Sequence, residues 1–124
     1  MQIILCGSQT FTNYPLLCKT MDRIASKIKG KITILSGHAS GADRLGEQWT
    51  FERLLRCLVF HAEWDKHGNK RAGMLRNLEM LEQLDPKKDG IVAFWDGKSP
   101  GTKGMLDMAR KKGIKRIKIV RFSK

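Results

Sequence analysis

The sequence has no long apolar run. The first one, Ile3 to Cys6, holds four residues, too few for a signal core or a membrane span. Cysteine is scarce: Cys6, Cys18 and Cys57 are odd in number, irregularly spaced and set among apolar neighbours. That pattern argues against a disulfide framework or a cysteine metal site and reads as buried free thiols. His38, His61 and His67 do not fall at metal-ligand spacing, so neither a metal nor another cofactor is expected. No internal repeat, low-complexity segment or recognisable nucleophile–base pair is present. Together these absences point to a cytosolic protein with no membrane association. Acidic residues are few as well, 12 against 24 Lys and Arg, for a net charge of +12. Such an excess attracts anions.

What is there is a globular composition, 41% hydrophobic over 124 residues. That suits one domain, residues 1–124, with its own core. Gln2 to Cys6 reads as a fully buried strand. Pro15 suits the start of a helix, in which Leu17, Met21, Ile24 and Ile28 share one face before Gly30 ends it. Strand-like runs recur at Ile32 to Leu35, Cys57 to Phe60, Gly90 to Trp95 and Lys115 to Phe122. Helix-like runs recur at Ala42 to Leu55, Arg71 to Leu84 and from the Ser99–Thr102 turn to Lys112, with Gly113 as a stop. Strict alternation of strand and helix predicts an α/β domain, a parallel sheet with helices on both faces. Gly90 to Trp95, the most apolar run, belongs at the centre beside the first strand, which gives the order 3-2-1-4-5.

In that arrangement the turns after the first four strands open at one edge, where open α/β sheets bind ligands. The organising stretch is Leu35 to Arg44, a strand followed by two serines, two glycines and a helix start. Small residues let a ligand approach the backbone, and free helix N–H groups favour an anion. Ser36 and Gly37 are therefore candidate phosphate contacts, as are Gly7 and Ser8, which otherwise make a plain strand-to-helix turn. Ser99, Gly101 and Thr102 open the last helix; Thr102 serves there either as its N-cap or as a phosphate ligand. Asp43 suits the helix dipole, and it also suits ribose hydroxyls or a neighbouring loop. Arg76 can fork onto phosphate and Asn77 can bond a base or ribose, the alternative for Arg76 being a solvated face. Trp64 lies in a long polar loop with His67 and either stacks on a base or packs down as a lid. Arg110 to Lys124 holds eight of the basic residues and no acidic one. It is either a blunted sheet edge or a patch for nucleic acid.

Gly7-Ser8-Gln9-Thr10-Phe11, Ser36 to Arg44, Ala62-Glu63-Trp64, Ala72 to Asn77 and Ala93 to Thr102 resemble, in order, the YspA/YpsA-related branch of the SLOG superfamily, which groups DprA (SMF) and LOG proteins. The resemblance implies a three-layer Rossmann-like domain that binds a nucleotide or a nucleotide-derived phosphorylated small molecule. It implies a sensor, sequestering or processing role in nucleotide-signal and phage-conflict systems, and by analogy a homo-oligomer. LOG enzymes hydrolyse the N-glycosidic bond of nucleoside monophosphates with a glutamate that follows Gly-Thr. Met105 stands at that place here. A LOG-type activity would then need Asp43, Glu47 or Glu63 as its carboxylate. DprA-like members bind single-stranded DNA, and this sequence shares their Ser-Gly and Arg-Asn elements.

Overall fold

The structure, a computed structural model, describes residues 1–63 and 69–123. Five strands form one parallel sheet: β1 (Gln2–Gly7), β2 (Thr33–Ser36), β3 (Arg56–Val59), β4 (Gly90–Trp95) and β5 (Arg116–Arg121). Among the described residues four helices lie between them: α1 (Tyr14–Ser26), α2 (Ala42–Glu52), α3 (Asn69–Glu82) and α4 (Pro100–Lys111). The sheet order is β3-β2-β1-β4-β5, as the alternation of the sequence requires. In register, Ile4 stands beside Leu35 on one side and Ile91 on the other.

Two apolar layers hold the helices to the sheet. On one face Leu17 and Met21 of α1 and Ala42 and Trp49 of α2 pack on Ile3, Leu5, Ile34 and Phe94. On the other, Met80 and Leu81 of α3 and Met105, Leu106 and Ala109 of α4 pack on Ile4, Leu35, Ile91 and Ala93. β1 and β4 are buried on both faces, which explains their unbroken apolar runs. The result is a three-layer α/β fold of Rossmann-like topology.

Helix boundaries differ from expectation for local reasons. α1 starts one residue before Pro15, because the Asn13 side chain caps it by accepting from the Leu16 N–H at 3.1 Å. It stops at Ser26, where the N–H groups of Lys27 and Ile28 turn back onto Ile24 and Ala25, so Gly30 lies beyond it. α2 ends at Glu52 instead of Leu55. Leu54 adopts a left-handed backbone (φ 57°), and the Leu55 N–H reaches back to the Thr50 carbonyl. That is a helix stop usually signalled by glycine. Ser99, not Thr102, occupies the cap position of α4; Thr102 sits inside the first turn.

The tightest backbone approach is at Gly7, where β1 leaves the sheet with φ 154°. A Cβ there would stand 2.1 Å from the Phe94 carbonyl oxygen and 2.8 Å from the Ala42 Cβ. Gly7→Ala is expected to lower the unfolding free energy by about 3 kcal/mol through backbone strain and overpacking. The reading is the midpoint of a urea transition.

Candidate functional site

The site is built where strand order reverses, at the carboxyl ends of β1 and β4. A cavity of about 390 Å³ opens there between the β1–α1 turn, the start of α2, α3 and the start of α4. Gly7, Ser8, Asp43, Arg76, Asn77, Ser99, Gly101 and Thr102 all line it. Gln9, Thr10, Ala39, Cys6 and Met80, which residue type does not mark as ligand contacts, line it as well. Gln9 and Thr10 share the Gly7-Ser8 turn, and that adjacency was the available signal.

Ser8 is buried and ties the turns together. Its hydroxyl accepts the Asp96 N–H at 3.0 Å and the Ser99 hydroxyl at 2.9 Å. Its carbonyl accepts the first N–H of α2, from Ala42, at 3.3 Å. That helix start is thus partly satisfied within the protein. The α4 start is not. Ser99 makes no side-chain cap, because its hydroxyl bonds Ser8 and Asp96. The Gly101 and Thr102 N–H groups have no acceptor inside the helix and none elsewhere among the described residues. The Gln9 and Thr10 N–H groups are likewise without a partner among the described residues. Four backbone donors therefore border one cavity. The Asp96 carboxylate accepts from the Lys98 and Ser99 N–H groups, both at 2.8 Å, which holds it well below the usual carboxylate range.

Arg76 supplies the charge. Its guanidinium donates to the Gly37 carbonyl at 3.1 Å and to the Asn77 side-chain oxygen at 3.3 Å through two nitrogens. It forms no ion pair among the described residues. A Cβ on Gly37 would stand 2.8 Å from the Arg76 Nε, so glycine is what lets the guanidinium lie there. Asp43 faces the same space and is 4% exposed. Its carboxylate accepts the Ala39 N–H at 3.1 Å and also the Gly7 N–H. Burial nonetheless raises its pKa from 3.8 to about 6, against the lowering effect of those N–H groups and Arg76. Burial also pushes the Cys6 thiol far up, so it stays protonated.

Other candidates fall elsewhere. Ser36 and Gly37 do not line the cavity. The Ser36 hydroxyl donates to Glu47 at 2.6 Å, and Gly37 reaches the site only through its carbonyl on Arg76. Glu47 is held by Ser36 and by His38, whose Nδ1 lies 3.0 Å from both carboxylate oxygens. Glu63 is exposed and also lies off the cavity. Trp64 and His67 lie outside the described residues. No group of three metal-ligating side chains assembles among the described residues.

A parallel sheet in this order, with a donor-lined cavity at its switch point, defines a Rossmann-like α/β domain. The family model described as the YspA, cpYpsA-related SLOG family matches residues 1–67, and the chain belongs to that family. Membership associates it, at a coarse level, with nucleotide binding or processing. No curated protein and no solved structure matches the chain. The matched span contains the Gly7–Thr10 turn and Asp43 but ends before Arg76 and α4.

Asp43 makes stability depend on pH. Its folded pKa lies above the unfolded value, so its contribution is complete below about pH 4 and is lost as pH rises through about 6. The loss amounts to roughly 3 kcal/mol. Asp43→Asn, which keeps an acceptor for the Ala39 N–H, is expected to flatten that part of the profile. Urea unfolding of both proteins at pH values from about 4 to 7 makes the comparison.

Proposed function

We propose that the cavity holds the phosphate end of a nucleotide-derived small molecule. The observation that carries this reading is the convergence, around one hollow, of Gln9, Thr10, Gly101 and Thr102 N–H groups without a partner among the described residues and of a pre-positioned Arg76 without an ion pair among them. Backbone donors and a helix start suit a phosphate, and guanidinium adds charge in a fixed fork. The volume, about 390 Å³, suits a ligand of mononucleotide size. Gly7 and Ser8 shape the turn, Ser99 braces the α4 start, and Asn77 and Asp43 offer acceptors for ribose hydroxyls.

Calorimetry against AMP, ADP, ribose 5-phosphate, ADP-ribose and cyclic ADP-ribose forms tests it. Heat is expected with a phosphorylated member and none with adenosine. Arg76→Ala is expected to weaken binding about 30-fold, the scale of a charged hydrogen-bonding group. Gly37→Ala should act in the same direction by displacing the guanidinium. Silence with every phosphorylated compound sinks the proposal.

A hydrolytic reading has one observation in its favour. Of the three carboxylates considered from sequence, Asp43 lines the cavity, with a pKa near a general acid's working range, raised to about 6. Met105 also lines it and offers no carboxylate. Release of free base from a nucleoside monophosphate, followed by chromatography and abolished in Asp43→Asn, is the expected result. Intact nucleotide after prolonged incubation removes this reading and leaves the binding one standing.

A further inference from the structure

The outer edge of β5 carries a second feature, independent of the cavity. Arg116, Lys118 and Arg121 are exposed along this edge strand, and Lys115 stands just before it. None forms an ion pair among the described residues. At about 3.3 Å per residue, Lys115 to Arg121 spans about 20 Å of cationic edge. Protection against edge pairing does not require this density. The opposite edge strand, β3, has Arg56 as the one charge in its four residues.

At the cavity end of β5 the cations meet a built hollow. The Arg121 guanidinium lies over the Trp95 ring, 5.4 Å from its centroid. It is also pressed against Gly97, where a Cβ would stand 2.1 Å from the guanidinium. Phe122 is fixed from behind, its ring 4.9 Å from Phe11. Lys98, Arg121, Phe122, Ser123 and Asp96 enclose about 410 Å³. The Asp96 carboxylate is engaged by the Lys98 and Ser99 N–H groups.

We infer that the β5 edge binds single-stranded nucleic acid, with phosphates along Lys115 to Arg121 and one unstacked base in the hollow against Arg121. A planar guanidinium beside an aromatic ring is a stacking surface that any base can use. A duplex does not present a base to such a hollow without unpairing it, which selects the single strand. An acidic protein would meet the same charges but has no need of a planar hollow.

Fluorescence anisotropy with a short labelled oligonucleotide tests this on the full chain. Five cations, Lys98 and the four of the edge, predict a slope of log affinity against log salt of about −3.5. Lys118→Glu with Arg121→Glu is expected to weaken binding at least about tenfold and to make the slope shallower by about 1.4. Lys27→Glu with Lys29→Glu changes the net charge equally on exposed residues elsewhere and should leave affinity within about twofold. If the first pair unfolds the chain, as seen by circular dichroism, Lys115→Glu with Lys118→Glu takes its place and should give the same loss. No binding by the unaltered chain, an equal loss in the control pair, or duplex bound as tightly as single strand overturns the inference.

Discussion

One buried serine decides which backbone groups at the carboxyl edge remain open. The Ser8 N–H donates to the Phe94 carbonyl at 2.9 Å, which fastens the end of β1 to β4. Its carbonyl accepts from Phe11 and Ala42, closing the first turn and engaging the first N–H of α2. Its hydroxyl accepts from Asp96 and Ser99, which draws the β4–α4 turn inward. Ser99 is thereby unable to cap its own helix. Two helix starts lie near one another; Ser8 engages the first N–H of α2 and draws away the hydroxyl that would cap α4. An anion at the cavity would meet the bare Gly101 and Thr102 donors together with those of Gln9 and Thr10.

The charge around the cavity follows the same economy. Arg76 forms no ion pair among the described residues, yet a carbonyl and an amide oxygen hold it from two sides. Asp43 is the buried acid nearby, and desolvation outweighs the attraction of the cation and its own N–H donors. With its pKa raised only to about 6, Asp43 is still mostly ionised at neutral pH and faces Arg76 across the same hollow. A phosphate placed there would gain from Arg76 and would meet less repulsion from Asp43 as pH falls through about 6.

Much of this was legible in the sequence, and the reasons are physical. Continuous apolar runs mark strands covered on both faces, and 3.6-residue spacing marks the helices between them. Their alternation leaves few topologies, so the order of the sheet followed. The clustering of Gly7, Ser8, Asp43, Ser99, Gly101 and Thr102 at one edge followed in turn, since every turn after a strand opens there. The stop of α2 was not legible, because Leu54 takes a conformation that its side chain does not advertise. Gln9 and Thr10 offer backbone N–H groups, which no residue type signals; their place in the Gly7-Ser8 turn is what marks them. Thr102 has the chemistry of a cap, but Ser99, placed by its bonds to Asp96 and Ser8, starts the helix first.

Ser36, His38 and Glu47 show why composition alone misleads at such an edge. They have the residue types of a hydrolytic triad and lie within hydrogen-bond distance of one another. A nucleophilic serine must give its proton to the histidine. Here the Ser36 hydroxyl donates to Glu47 at 2.6 Å, and the histidine touches the serine only through its backbone N–H at 3.2 Å. Ser36 is moreover 1% exposed, so no substrate carbonyl can reach it. The three residues act instead as a brace on the β2–α2 turn, with His38 held in a left-handed backbone conformation (φ 59°). That brace sits beside Gly37, whose carbonyl receives Arg76. The residues that mimic a catalytic centre therefore serve the cavity from outside it, by fixing the surface on which its cation rests.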